Sequence, residues 1–82
     1  MTARCPFCEA VHPVRAASDP VGQLLHCPCG ATALLCAPNT EPETSVRLSK
    51  MGLSDTKADV IDENLSIVWA RPWSWRWADP AR

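Results

Sequence analysis

The residues best suited to chemistry are cysteines held in two tight turns, Cys5-Pro-Phe-Cys8 and, after an 18-residue interval, Cys27-Pro-Cys29-Gly30. A short turn of this kind aims two sulfurs at one point. Proline fixes part of its backbone and glycine lets amide groups approach the sulfurs. Four thiolates from two such turns fill a tetrahedral shell around zinc and leave no open position for a substrate. The chemistry expected is therefore structural metal binding. A thioredoxin-type C-x-x-C redox pair needs a βαβ context that these 82 residues do not show. A disulfide framework is opposed by the odd count of five cysteines and by an opening, Met1 to Cys5, that lacks a secretory signal pattern. The same features predict a reducing, cytoplasmic setting.

The two turns resemble the knuckles of the zinc-ribbon (rubredoxin-knuckle) family, and the resemblance covers residues 4–37. It implies a structural zinc held by Cys5, Cys8, Cys27 and Cys29. Two positions depart from the family pattern. Glu9 stands where glycine is common, and the second knuckle has one residue between its cysteines instead of two. His26 and Cys29 do have two intervening residues, so a shell of Cys5, Cys8, His26 and Cys29 is the alternative. The all-cysteine set is favoured because thiolates dominate structural sites. Zinc and iron are not told apart by four sulfurs alone. Cys36, in the apolar run Ala33 to Cys36, reads as a small buried hydrophobe. His12, just before Pro13, reads as a surface residue.

Eighty-two residues make one domain, near the size at which a core alone stabilises poorly and a metal or partner helps. Hydrophobic content is 46%, ordinary for a folded chain. No apolar run approaches the roughly 20 residues that span a bilayer, so no membrane span is expected. The net charge of −1 is unevenly spread. Residues 1–36 are neutral, residues 37–66 sum to −3 and residues 67–82 to +2. A nucleic-acid module normally carries a clear basic face, which neither the acidic middle nor the knuckle region supplies.

The fold class expected is a small mainly-β, metal-stabilised domain, namely a zinc ribbon over residues 1–37 and a β-rich extension with one short helix over 38–70, followed by a Trp/Arg-rich tail over 71–82. A short strand is expected near Val14. Gln23 to Cys27 and Ala31 to Cys36 read as the arms of a hairpin whose turn is the second knuckle. Residues 37–44, with Pro38, Asn39 and Pro42, read as a linker. Ser45 to Ser49 alternates like a strand, and Met51 to Leu53 reads as a turn. Ser54 or Asp55 to Glu63 reads as a short helix, with Ala58, Ile61 and Leu65 as its apolar stripe, or nearly as well as a solvated acidic loop. Residues 64–71 alternate as a strand, Leu65, Ile67 and Trp69 on one face and Ser66, Val68 and Ala70 on the other. No phosphate-cradling loop, nucleophile elbow or paired His and carboxylate set appears, so no catalytic residues are expected.

The tail carries Trp69, Trp73, Trp75 and Trp77 within nine residues, interleaved with Arg71 and Arg76. Trp69, on the clear strand, reads as core. The other three rings read equally well as core or as an exposed anchor. The working reading takes them, with Arg71 and Arg76, as an anchor for a larger protein, because Trp and Arg dominate interface hot spots. The resemblance points to an accessory subunit or regulator of a large assembly such as the transcription or translation machinery. Three rival readings remain open. Trp stacking with Arg71, Arg76 and Arg82 on phosphates could bind single-stranded nucleic acid. Cys5, Cys8 and Cys36 could serve a small redox or metal-handling protein. The Trp/Arg tail could attach to a membrane surface.

Overall fold

The computed structural model describes residues 2–14 and 20–72. The chain runs β1 (Thr2–Arg4), β2 (Val11–Pro13), β3 (Leu24–His26), β4 (Thr32–Cys36), α1 (Glu41–Lys50), β5 (Leu53–Asp62) and β6 (Leu65–Pro72). It is the small mainly-β domain expected. Strands β1 and β2 pair antiparallel as a two-stranded ribbon, Ala3 opposite His12. The other four form an antiparallel sheet in the order β3-β4-β6-β5.

The two inner strands explain the layering. Every residue of β4 is buried, as are residues 65–70 of β6. Successive side chains on a strand point to opposite faces, so a strand buried throughout must be covered on both sides. One face carries Ala33 and Leu35 of β4 with Leu65, Ile67 and Trp69 of β6, packed with Cys5 and Cys27 of the cysteine turns, Ala3 of β1 and Val14 just after β2. The other face carries Leu34, Cys36, Val68 and Ala70, packed on Leu48 of α1 and flanked by Leu53. The sheet thus lies between the cysteine turns and the helix.

The hairpin around the second knuckle is as expected, Leu24 opposite Leu34 and His26 opposite Thr32. The strand expected near Val14 is β2, which ends at Pro13, and Val14 itself is buried. The segment after Cys36 differs from expectation. Residues 41–50, read as the end of a linker and then a strand, are α1, and residues 53–62, read as a turn and then a helix or acidic loop, are β5. Helix signals were present at the ends: Pro42 in the first turn, Glu41 and Glu43 at the positive end of the helix dipole, Arg47 and Lys50 at the negative end. Only Thr44 and Leu48 are buried, one i, i+4 pair, too thin a stripe to show as periodicity. Thr44 donates its hydroxyl back to Thr40 O at 2.9 Å, and Thr40 donates to Ala37 O at 2.6 Å, which shapes the helix entry.

Strand β5 carries almost no apolar pattern, since residues 56–60 are exposed throughout. Its conformation is decided by β6, which it pairs along its length, Lys57 opposite Trp69 and Val60 opposite Ser66. The connecting turn is closed by Asn64 N–H donating to the Asp62 carboxylate at 2.7 Å, an aspartate turn that fixes the hairpin register. The helix-like spacing of Ala58, Ile61 and Leu65 carries no weight once Leu65 belongs to another strand. Among the described residues no helix is long and apolar enough to cross a membrane.

Candidate metal centre

The chain delivers its cysteines from strand ends. Cys5 follows β1 and Cys8 ends the turn that leads back toward β2, while Cys27 follows β3 and Cys29 lies in the turn before β4. Two backbone bonds close each turn. Glu9 N–H donates to Cys5 O at 2.8 Å and Cys5 N–H to Ala10 O at 2.9 Å. In the second turn Gly30 N–H donates to Cys27 O at 2.9 Å and Cys27 N–H to Ala31 O at 2.9 Å. The second turn therefore makes the same closure with one residue fewer. Glu9 and Gly30 are the equivalent hinge residues, both in the left-handed region at φ 65° and φ 101°. Glu9 occupies a conformation in which glycine would be unstrained.

These closures bring Cys5, Cys8, Cys27 and Cys29 together, with one sulfur from each lying within 4.8 Å of all the others. Cys5 Sγ lies 3.8 Å from Cys29 Sγ, and Cys8 Sγ lies 3.3 Å from Cys27 Sγ. A tetrahedral zinc with Zn–S near 2.3 Å separates its sulfurs by about 3.8 Å. The cluster fits such an ion, and both distances far exceed the ~2.05 Å of a disulfide. All five cysteines are free thiols.

No family model, no curated protein and no solved structure matches the chain.

The electrostatics of the four sulfurs are unequal. Burial pushes the Cys5 thiol up, against backbone N–H groups of Phe7 and Cys8 that pull it down. Burial pushes Cys27 up to about 12, opposed by the N–H of Cys29. Cys8 is exposed and is held below the ordinary thiol value by the N–H of Ala10 and by the Cys27 side chain. Backbone donors around the sulfurs are the outer-shell contacts expected of a thiolate site.

His26, the alternative ligand, lies exposed at the end of β3 and is not one of the clustered groups. Cys36 is buried on the opposite face of the sheet among Leu34, Leu48, Val68 and Ala70. His12, expected at the surface, is half-buried, its ring 5.7 Å from that of Trp69 and tilted by 42°. Strand β2 sets it on the face toward β6. Trp69 is core, as read from the sequence.

The expected partner-binding residues Trp73, Trp75, Trp77 and Arg76 lie outside the described residues. Arg71 is described and is engaged within the fold. Its guanidinium lies 4.9 Å from the centre of the Phe7 ring and is paired with Asp55 at 2.5 Å. Sequence reasoning missed this link. Phe7 is the only phenylalanine of the chain and sits inside the first knuckle, but nothing local connects it to a strand sixty-odd positions away.

Proposed function

We propose that this chain is a non-enzymatic zinc-ribbon module in which the ion fixes the two cysteine turns, and that a Trp/Arg-rich C-terminal segment docks it onto a larger protein or complex. The observation that carries the metal reading is the cluster of Cys5, Cys8, Cys27 and Cys29 within 4.8 Å. Four thiolates complete a tetrahedral shell, which suits a structural ion and leaves no coordination position for a reacting group. Zinc is preferred to iron because such closed four-cysteine shells are its usual structural form. When bound, the ion would cross-link the two turns directly, in addition to their packing in the shared core.

Docking rests on composition. Trp73, Trp75, Trp77 and Arg76 are the residue types that anchor protein interfaces. Arg71 is held within the fold by Phe7 and Asp55, so the docking role falls to Trp73, Trp75, Trp77 and Arg76. By resemblance of the knuckles, the partner class is a large assembly such as the transcription or translation machinery.

The test is a pull-down of the tagged full chain from its own cell extract, with nuclease, at low and high salt, beside a form truncated after Pro72. One zinc per chain in both forms, and a stoichiometric protein partner retained only by the full chain, are expected. A truncated form that keeps its partner would overturn the docking segment. Captured material that vanishes with salt and nuclease would replace it with single-strand binding. A coloured protein containing iron would overturn the zinc assignment.

A further inference from the structure

Strand β5 is the outer strand of the four-stranded sheet, and among the described residues no strand pairs with its far edge. Between its two register irregularities, Ser54/Lys57 and Val60/Asp62, residues 57–60 pair regularly with β6. This run is exposed, and Val60, at 68% exposure, is the most exposed large hydrophobic residue described. The Val60 N–H is met by the carboxylate of its own neighbour Asp59 at 2.8 Å. A strand donor served by a side chain lies on the open side of the ladder. Donors alternate between the two sides, so Ala58 shares that side with Val60.

The charges along this edge are self-complementary. In an antiparallel pairing of two copies about Ala58, Lys57 of each copy stands opposite Asp59 of the other. Opposite charges directly across an antiparallel pair stabilise it, and like charges there destabilise it. Lys57 and the flanking bulges discourage arbitrary strands from adding to the edge. They do not discourage a second copy, whose Asp59 meets each Lys57.

We propose that two copies of this chain associate edge to edge through β5, antiparallel about Ala58, joining their sheets across a two-fold axis. Ala58 pairs with Ala58 of the second copy, exchanging N–H···O=C bonds across the axis, and the Asp59 carboxylate leaves the Val60 N–H. Asp59 is thereby released to Lys57. The contact is isologous, so it closes as a dimer and does not propagate. A single strand edge buries far less than the roughly 1,600 Å² of a standard interface, so the contact is weak and self-association is expected only at high protein concentration.

The experiment is sedimentation equilibrium of the full zinc-loaded chain from about 5 μM to about 1 mM, a span that brackets this weak contact. The mass is expected to rise from 9.0 kDa toward twice that value. Lys57→Asp and Asp59→Lys should each weaken self-association at least about tenfold. The double variant Lys57→Asp/Asp59→Lys should restore it. Mixing the two single variants should also restore it, because one then carries two acids and the other two lysines at the facing positions. Circular dichroism and zinc content confirm that each variant is folded. A wild-type mass of 9.0 kDa throughout overturns the proposal. So does association that survives both single variants, or a folded double variant and a folded mixture that both stay monomeric.

Discussion

The guanidinium of Arg71 stacks over the ring of Phe7, 4.9 Å from its centre, so the last strand of the sheet is tied directly to the first cysteine turn. Asp55 holds the same guanidinium from β5. Both charged side chains are about a third exposed, at 32% and 29%, so solvent screens the ion pair and the ring contact contributes a comparable share. Arg71→Ala should destabilise the zinc-loaded protein by about 1–1.5 kcal/mol, and Arg71→Lys by roughly half of that, since the planar stack is lost and the charge kept. Asp55→Asn tolerates the left-handed backbone at φ 55° and should cost about 0.5 kcal/mol. Urea unfolding of the three variants measures these values. A neutral Arg71→Ala would show that the link is incidental.

The hinge residues of the two knuckles should respond to substitution with opposite signs. Glu9 adopts φ 65° with a side chain that this conformation disfavours, and Glu9→Gly should stabilise by about 0.5–1 kcal/mol once glycine's larger unfolded-state entropy is subtracted. Gly30 sits at φ 101°, and a Cβ there would meet nothing within 4 Å. The cost of Gly30→Ala is thus purely backbone, about 1–2 kcal/mol. Thermal unfolding of both variants at equal zinc loading decides the matter, and a destabilised Glu9→Gly would contradict the equivalence of the two turns.

Removing a ligand should remove the ion and unfold the layer it holds. For structural zinc sites the metal-binding free energy, about 10 kcal/mol or more, is folding free energy. Cys8→Ser and Cys29→Ser are therefore expected to lose zinc and the dispersion of the amide signals of residues 2–14. His26→Ala should keep full stoichiometry, because its ring lies outside the cluster. Metal analysis and an amide correlation spectrum report both effects. Loss of zinc in His26→Ala would place the histidine in the shell.

Acidity should act in opposite directions on the loaded and the metal-free chain. The folded pKa values of Cys5 and Cys27 are raised by burial above the unfolded value, near 8.5. Groups raised in this way contribute stability below the unfolded pKa. That stability is lost as pH climbs through the folded value, about 12 for Cys27. The stability contributed by Cys5 and Cys27 to the metal-free chain should fall from about pH 8 upward, opposed in part by Cys8, whose lowered value acts with the opposite sign. The loaded chain should instead weaken as pH falls, since protons compete with the ion for thiolates. Zinc uptake at pH 7 should release at least the protons of Cys5 and Cys27, which calorimetry in two buffers of different ionisation enthalpy would count. Release of fewer than two protons per ion would refute this assignment of protonation.

The apolar anchor of the helix layer is Leu48. Leu48 is fully buried against Leu34, Cys36, Val68 and Ala70, and Leu48→Ala should cost about 3 kcal/mol. The exposed Val46 on the same helix should tolerate alanine within about 0.5 kcal/mol. Equal effects at the two positions would mean that α1 does not dock through Leu48.

What could be read from the chain followed from local chemistry. The C-P-C-G turn announces its own hairpin, and the two-sided alternation of Leu65 to Ala70 matches the two faces that the cysteine turns and the helix cover. The four cysteines were legible because their spacing is itself the constraint. The segment from Glu41 to Asp62 was not, for two physical reasons. A helix that docks through Thr44 and Leu48 alone leaves almost no periodic trace. A strand whose middle is solvated on both faces takes its conformation from its neighbour, and residues 56–60 carry no pattern to announce it. The Phe7–Arg71 contact belongs to tertiary structure entirely.

The placement of β6 between β4 and β5 has a consequence for the order of assembly. The β3–β4 and β5–β6 pairs join neighbours in sequence and close cheaply, whereas the β4–β6 ladder, Ala33 with Trp69 through Cys36 with Ser66, must bring distant segments together. On loop-closure grounds the two local hairpins are expected to form before the ladder that joins them. Joining them creates both faces of the core at once, because the seam carries the residues that the helix and the cysteine turns cover. The slow, concerted step is therefore the docking of the two hairpins, and an ion already seated in the first turns would shorten the search by presenting β4 in a single orientation.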